Sequence, residues 1–168
     1  MRRRRIVAVV VVAPVLGMAV PVIPPVIAQE RASCTTWSAE MLEDEGGPVL
    51  TAQACSTDRP DAYLSLTCFA GRLNLRHDLG LAAEASVPLG EVTDVTFSSG
   101  SDAVTLAMAY QEMDGRHAAD AGLDDPLIQL LKAGEAVTIA DVAGLYPVKQ
   151  FSLKGSSAAL GRLVAACD

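Results

Sequence analysis

Apolar and polar positions alternate along most of the chain. In AYLSLTCFAG (62–71), Leu64, Leu66 and Cys68 fall on one side, and Tyr63, Ser65, Thr67 and Phe69 on the other. That is the two-residue period of a strand. Gly71 suits a tight turn, and RLNLRHDL (72–79) alternates again with Leu73 and Leu75 inward. The pair predicts a β-hairpin. EVTDVTFSSGSDAVTLAMAYQ (91–111) repeats the plan: Val95 and Phe97 lead into the turn SSGSD, and Val104, Leu106, Met108 and Tyr110 then alternate with small or polar residues. VLTAQAC (49–55), EAVTIAD (135–141) and PVKQFSLKG (147–155) read as further strands.

Two segments change period. In DDPLIQLLKAG (124–134), Asp124 or Asp125 suits a helix cap, Pro126 the first turn and Gly134 the stop. In FSLKGSSAALGRLVAAC (151–167), Leu160, Leu163, Val164 and Cys167 are spaced i, i+3, i+4, i+7 on one helix face. The expected fold is therefore mainly β (α+β). It is an antiparallel sheet or β-sandwich with two short helices, the last at the C-terminus. The acidic run Glu40, Glu43, Asp44, Glu45 before Gly46-Gly47-Pro48 reads as a solvated turn, and STDRPD (56–61) as another.

The first 28 residues follow a different logic. Arg2 to Arg5 precede the apolar run IVAVVVVAPVLGMAV, and VIA (26–28) offers a cleavage site before Gln29. This is the pattern of a secretory signal. A retained membrane anchor is disfavoured because Pro14, Pro21, Pro24 and Pro25 interrupt the run. Lipidation at Cys34 is disfavoured by Arg31 in the preceding stretch. The expected organisation is a signal peptide (1–28) followed by one disulfide-stabilised β-rich domain (29–168), periplasmic or secreted, with no stable membrane span after cleavage.

Removing the signal leaves nine basic residues against 20 acidic ones, a net charge of −11 where the whole chain has −7. Such a protein repels phosphate backbones, so nucleic acid is not an expected partner. All four cysteines lie after the signal, at 34, 55, 68 and 167. An even number in an exported chain predicts two disulfides. A zinc site is the alternative, but the spacing has no C-x-x-C element. Cys68 shares the inward side of its strand with Leu64 and Leu66, and Cys167 shares the apolar face of the last helix. The pairing expected is thus Cys68–Cys167, which leaves Cys34–Cys55.

The hairpin YLSLTC/RLNLRHDLG and the terminal FSLKGSSAALGRLVAAC resemble small exported proteobacterial β-domains, namely the invasion-associated locus B proteins and accessory proteins of type VI secretion. The resemblance spans mainly 62–79 and 148–167. It implies a periplasmic or surface β-protein without catalytic residues.

Candidate chemistry is sparse. His77 and Asp78 follow a strand. Asp114, His117 and Asp120, spaced by three, would form a weak divalent-metal site if the segment were helical, but read more simply as a polar connection. SSGS (98–101) lacks the G-x-S-x-G elbow, and no phosphate-binding glycine loop is present. Lys149 and Lys154 read as a solvated face. Trp37, the only tryptophan, either packs beside a disulfide or serves as a partner contact. No catalytic residue, metal ligand or cofactor is assigned. The expected function is a non-catalytic interaction or structural protein whose partner is a protein or envelope component. A module for a small apolar ligand and an unrecognised hydrolase are the alternatives.

Overall fold

The computed structural model describes residues 34–44, 46–78, 91–111 and 114–167. The segment expected to be a signal peptide (1–28) and the mature terminus expected at Gln29 lie outside the described residues. Nine strands form one antiparallel sheet: β1 (Ser38–Asp44), β2 (Gly47–Cys55), β3 (Tyr63–Phe69), β4 (Arg72–Asp78), β5 (Val92–Ser99), β6 (Asp102–Gln111), β7 (Arg116–Ala121), β8 (Ala136–Asp141) and β9 (Lys149–Ser152). Their spatial order is β1-β2-β3-β4-β7-β6-β5-β8-β9. Two helices follow among the described residues: α1 (Pro126–Ala133) between β7 and β8, and α2 (Ser156–Ala165) after β9. The mainly β class with a C-terminal helix is as expected.

The sheet curls until its two ends meet. Beyond β2, Ser56 Oγ and the Thr57 N–H both donate to the Gln150 carbonyl of β9, each at 2.8 Å. The Gln150 N–H in turn donates to Asp58 Oδ1 at 3.2 Å. The strand period then puts every second residue inside the curl. Leu64, Leu66, Leu73, Leu75, Phe97, Met108 and Phe151 are all fully buried there. Each such side chain contributes about 1.5–3 kcal/mol when removed from water.

The hairpin between β3 and β4 turns on Ala70 and Gly71, both with positive φ (51° and 73°). That is the backbone of a two-residue type I′ turn, and it fixes the register that pairs Leu66 with Leu75 and Cys68 with Leu73. α1 begins as expected: Asp125 Oδ1 accepts the Leu127 N–H at 2.9 Å, and the Gly134 N–H closes on Leu130 at 3.3 Å. Leu127, Ile128 and Leu131 of α1 and Leu160 and Leu163 of α2 are buried. α1 packs on β5 and β6, and α2 on β1, β2 and β3. Both helices thus cap the same end of the curl.

α2 is pinned along its length. The single Ser156 hydroxyl lies within donating distance of both the Leu131 and Leu153 carbonyls (2.6 and 2.7 Å), and Arg162 donates to the Ala39 carbonyl (2.7 Å). Its end is tied to β3 by a Cys68–Cys167 disulfide, and Cys34 is joined to Cys55. The pairing is the expected one.

Three expectations fail. Glu40, Glu43 and Asp44 of the acidic run lie in strand β1 and not in a turn, with Ala39 buried and Glu40 and Glu43 exposed; Glu45 lies outside the described residues. As an edge strand paired only with β2, β1 tolerates charge on its outward positions. The segment 114–120 is not a helix or a connection: strand β7 begins at Arg116, so the i, i+3 geometry needed to gather Asp114, His117 and Asp120 does not form. Lys149 is not solvated but fully buried, because it shares the inward parity of Phe151 on β9. Lys154 is exposed as expected.

Candidate functional site

Register carries polar residues into the interior at the end of the curl opposite the helices. Ala54 of β2 pairs with Leu64 of β3, which pairs with His77 of β4. His77 in turn pairs with His117 of β7, and His117 with Tyr110 of β6. One cross-strand row therefore changes from apolar to polar as it crosses the sheet. His77 is 3% exposed and His117 1%. Across the curl, Lys149 of β9 and Asp141 of β8 point inward as well.

The connection between β8 and β9 (142–148) closes over these groups. Asp141 organises it: its Oδ2 accepts the Leu145 N–H at 2.7 Å and its Oδ1 the Tyr146 N–H at 2.9 Å. Lys149 Nζ donates to the Pro147 carbonyl at 3.0 Å. The Tyr146 ring meets His117 edge-on at 5.1 Å, and Tyr110 approaches the same imidazole at 5.3 Å. His77 meets Phe151 edge-on at 5.9 Å.

Neither imidazole is fully satisfied. The Nδ1 atoms of His77 and His117 are buried without a hydrogen-bond partner. His77 hydrogen-bonds to the Tyr63 backbone. Both side chains line a small pocket whose wall is completed by Val95, Ile139, Asp141, Tyr146 and Pro147. Its volume is about 10 Å³, roughly the space of one water molecule.

Burial sets the electrostatics. Desolvation pushes His77 from 6.5 down to about 4; the Tyr63 backbone bond opposes this, and the charges of Lys149 and His117 add to it. Desolvation also lowers His117, against the attraction of Asp141. It lowers Lys149, reinforced by Arg59 and opposed by Asp58 and Asp61. Tyr146 is raised by desolvation and then by Glu91, Asp141 and Tyr110. Burial thus favours the uncharged form of both imidazoles.

Among the described residues, no three His, Cys, Asp or Glu side chains are grouped to hold a metal ion. A larger surface groove of about 510 Å³ runs between the β5–β6 turn and the end of α1, lined by Ser99 to Asp102 and by Leu130 and Ala133 to Ala136. Ser99, Gly100 and Ser101 of the SSGS stretch line it, in the expected hairpin turn between β5 and β6, with the carboxylates of Asp102 and Glu135 on the same groove.

Trp37 is not a surface contact. It is 4% exposed, and its indole N–H donates to the Ser152 carbonyl at 2.9 Å. Asp120 and Asp78 are turned away from the histidines: Asp120 accepts from Asn74 at 3.0 Å, and Asp78 pairs with Arg116 at 3.5 Å. Sequence reasoning missed Lys149, Asp141 and Tyr146. The signal for Lys149 was present, two residues before inward-facing Phe151. Nothing local announced Asp141 as the brace of the following loop.

Aliphatic side chains remain outside. Val142, Leu145 and Val148 are 68%, 61% and 53% exposed, all on the β8–β9 connection. Phe69 is exposed at the opposite hairpin turn. Among the described residues no helix is long and apolar enough to cross a membrane. No protein-family model, curated protein or solved structure matches this chain.

Proposed function

We propose that this chain is an exported, disulfide-stapled, non-catalytic interaction protein of the periplasm or envelope, of the kind represented by the invasion-associated locus B proteins it resembles over 62–79 and 148–167. Its contact element is the β8–β9 connection. The observation that carries this reading is the loop's construction. Three aliphatic side chains stand exposed on a segment of seven residues, while Asp141 and Lys149 fix its backbone from below. Solvent-facing aliphatics on a braced loop lose little conformational entropy on docking.

The partner is an apolar site on another protein. A net charge of −11 after signal removal opposes anionic lipid surfaces and nucleic acid alike. The filled interior supports contact through the surface over uptake of an apolar ligand. The two disulfides support an oxidising compartment.

The test pairs localisation with contact. Intact mass of the protein from the extracytoplasmic fraction of its native cells should correspond to a chain beginning at Gln29 with both disulfides formed. Leu145→Asp should abolish co-purification of an envelope protein that wild type and Phe69→Ser both retain. A mass that includes residues 1–28, or equal co-purification by all three forms, overturns the reading.

A further inference from the structure

Two imidazoles buried at directly paired positions of β4 and β7, each with an unpartnered nitrogen, are costly to ionise and sit directly under a loop. We propose that His77 and His117 form an acid-operated latch: when they take up protons, the β8–β9 connection lifts from the end of the curl and water enters beneath it.

The geometry gives the protons nowhere to be satisfied. A protonated imidazole carries an N–H on both nitrogens, and neither Nδ1 has an acceptor in the closed structure. It also places two positive charges at directly opposed positions of β4 and β7. A third, Lys149, is contributed from β9 and is fully buried.

The groups facing the pair do not offset this. From β8 comes Asp141, the one buried carboxylate among the described residues. From β6 comes Tyr110, and from the loop Tyr146, both as ring contacts. β3 offers the Tyr63 backbone, and β5 the apolar Val95. Glu91, before β5, is exposed and acts on Tyr146. Arg116 and Asp78 neutralise one another at the strand ends. Asp58, Arg59 and Asp61 lie beyond Lys149 and act on it.

Asp141 couples charge to movement. Its two oxygens are the acceptors that hold the Leu145 and Tyr146 N–H groups. Its charge also acts on His117. A cationic His117 competes with those two amides for the same carboxylate. The loop loses its brace as the imidazole gains a partner, and the Tyr146 ring leaves the face of His117. Opening hydrates all three cations at once, which the closed form cannot do.

The size of the effect follows from linkage. An imidazole that titrates near 6.5 in the open form and near 4 in the closed form shifts the opening equilibrium about 30-fold between roughly pH 8 and pH 5. His117 adds to that factor. The latch does not depend on the loop having a docking role.

Hydrogen exchange on the oxidised full-length mature protein reads it directly. After correction for intrinsic exchange rates, protection of the Leu145 and Tyr146 amides should fall about 30-fold or more from pH 8 to pH 5, while the amides of β2 and β3 stay protected. The His77→Leu/His117→Leu double variant should abolish this dependence. Should that variant fail to fold, the wild type still decides the matter, because the chain has only two histidines and their ring resonances are assignable by NMR. Both rings should titrate below the ordinary range, with loop protection lost at the same midpoint. Loop amides that stay protected while the rings titrate, or ordinary ring titration near 6.5 without loop opening, would overturn the latch. So would an undiminished pH response in a folded double variant.

Discussion

Replacing Cys68 and Cys167 together with alanine should cost more stability than any other single change to the covalent framework. The bridge closes 99 residues of sequence, whereas Cys34–Cys55 closes 21. In the chain-entropy model the first restricts the unfolded chain by about 4.7 kcal/mol and the second by about 3.3 kcal/mol. The larger figure is comparable to the whole stability of a modest domain, about 5–15 kcal/mol. The structure adds a native-state effect. α2 is held at its start by Ser156 and at its end by the bridge, and Leu160 and Leu163 are buried only while it stays down. Urea unfolding followed by far-ultraviolet circular dichroism and by the fluorescence of Trp37 should show a loss of about 3–5 kcal/mol. The m value should rise as the unfolded chain expands. The Cys34→Ala/Cys55→Ala protein should lose about 1 kcal/mol less. A loss below about 1 kcal/mol for the long bridge, or a larger loss for the short one, would refute the idea that the terminal helix is held by its last turn.

Three further outcomes are expected. Gly155→Ala should destabilise by about 1–3 kcal/mol in the same assay, because Gly155 has φ +84° and an added Cβ would lie 2.9 Å from the Trp37 carbonyl oxygen. Lys149→Met should raise the pH at which the His77 ring titrates, as seen by NMR, since the Lys149 charge helps to hold that group down; an unchanged or lower midpoint would contradict the placement of Lys149. Stability should also fall with acid: the folded value of His77 lies below its unfolded one, so the unfolded chain binds the proton first as pH drops below about 6.5. The resulting loss reaches about 2 kcal/mol near pH 5 and saturates below about pH 4. Chemical denaturation across that range checks it, with the His77→Leu/His117→Leu protein as the flat control.

Where the pattern of the chain was strong, it was sufficient. The alternation around Leu64, Leu66, Leu73 and Leu75 placed both strands of the hairpin, and the same parity correctly aimed Cys68 at Cys167. Asp124 or Asp125, Pro126 and Gly134 delimited α1, with Asp125 the cap the structure uses, because capping chemistry is local. The misses share another origin. β1 and β7 are held by neighbours, not by their own hydrophobicity: β1 carries acids on an edge, and β7 offers mainly alanines to flanking strands. The candidate site was illegible for a related reason. His77 and His117 are 40 residues apart and meet only through the β4–β7 pairing, which skips two strands of the chain. Lys149 was misjudged because charge was weighed before parity.

The claim that the β8–β9 connection is the working surface of this protein is tested most directly by site-specific photo-crosslinking in native cells. A photoreactive residue at Leu145 should yield one dominant adduct with an envelope protein, and the same residue at Phe69, more exposed still but at the opposite hairpin turn, should yield none. No adduct from position 145, or the same adduct from both positions, would contradict it.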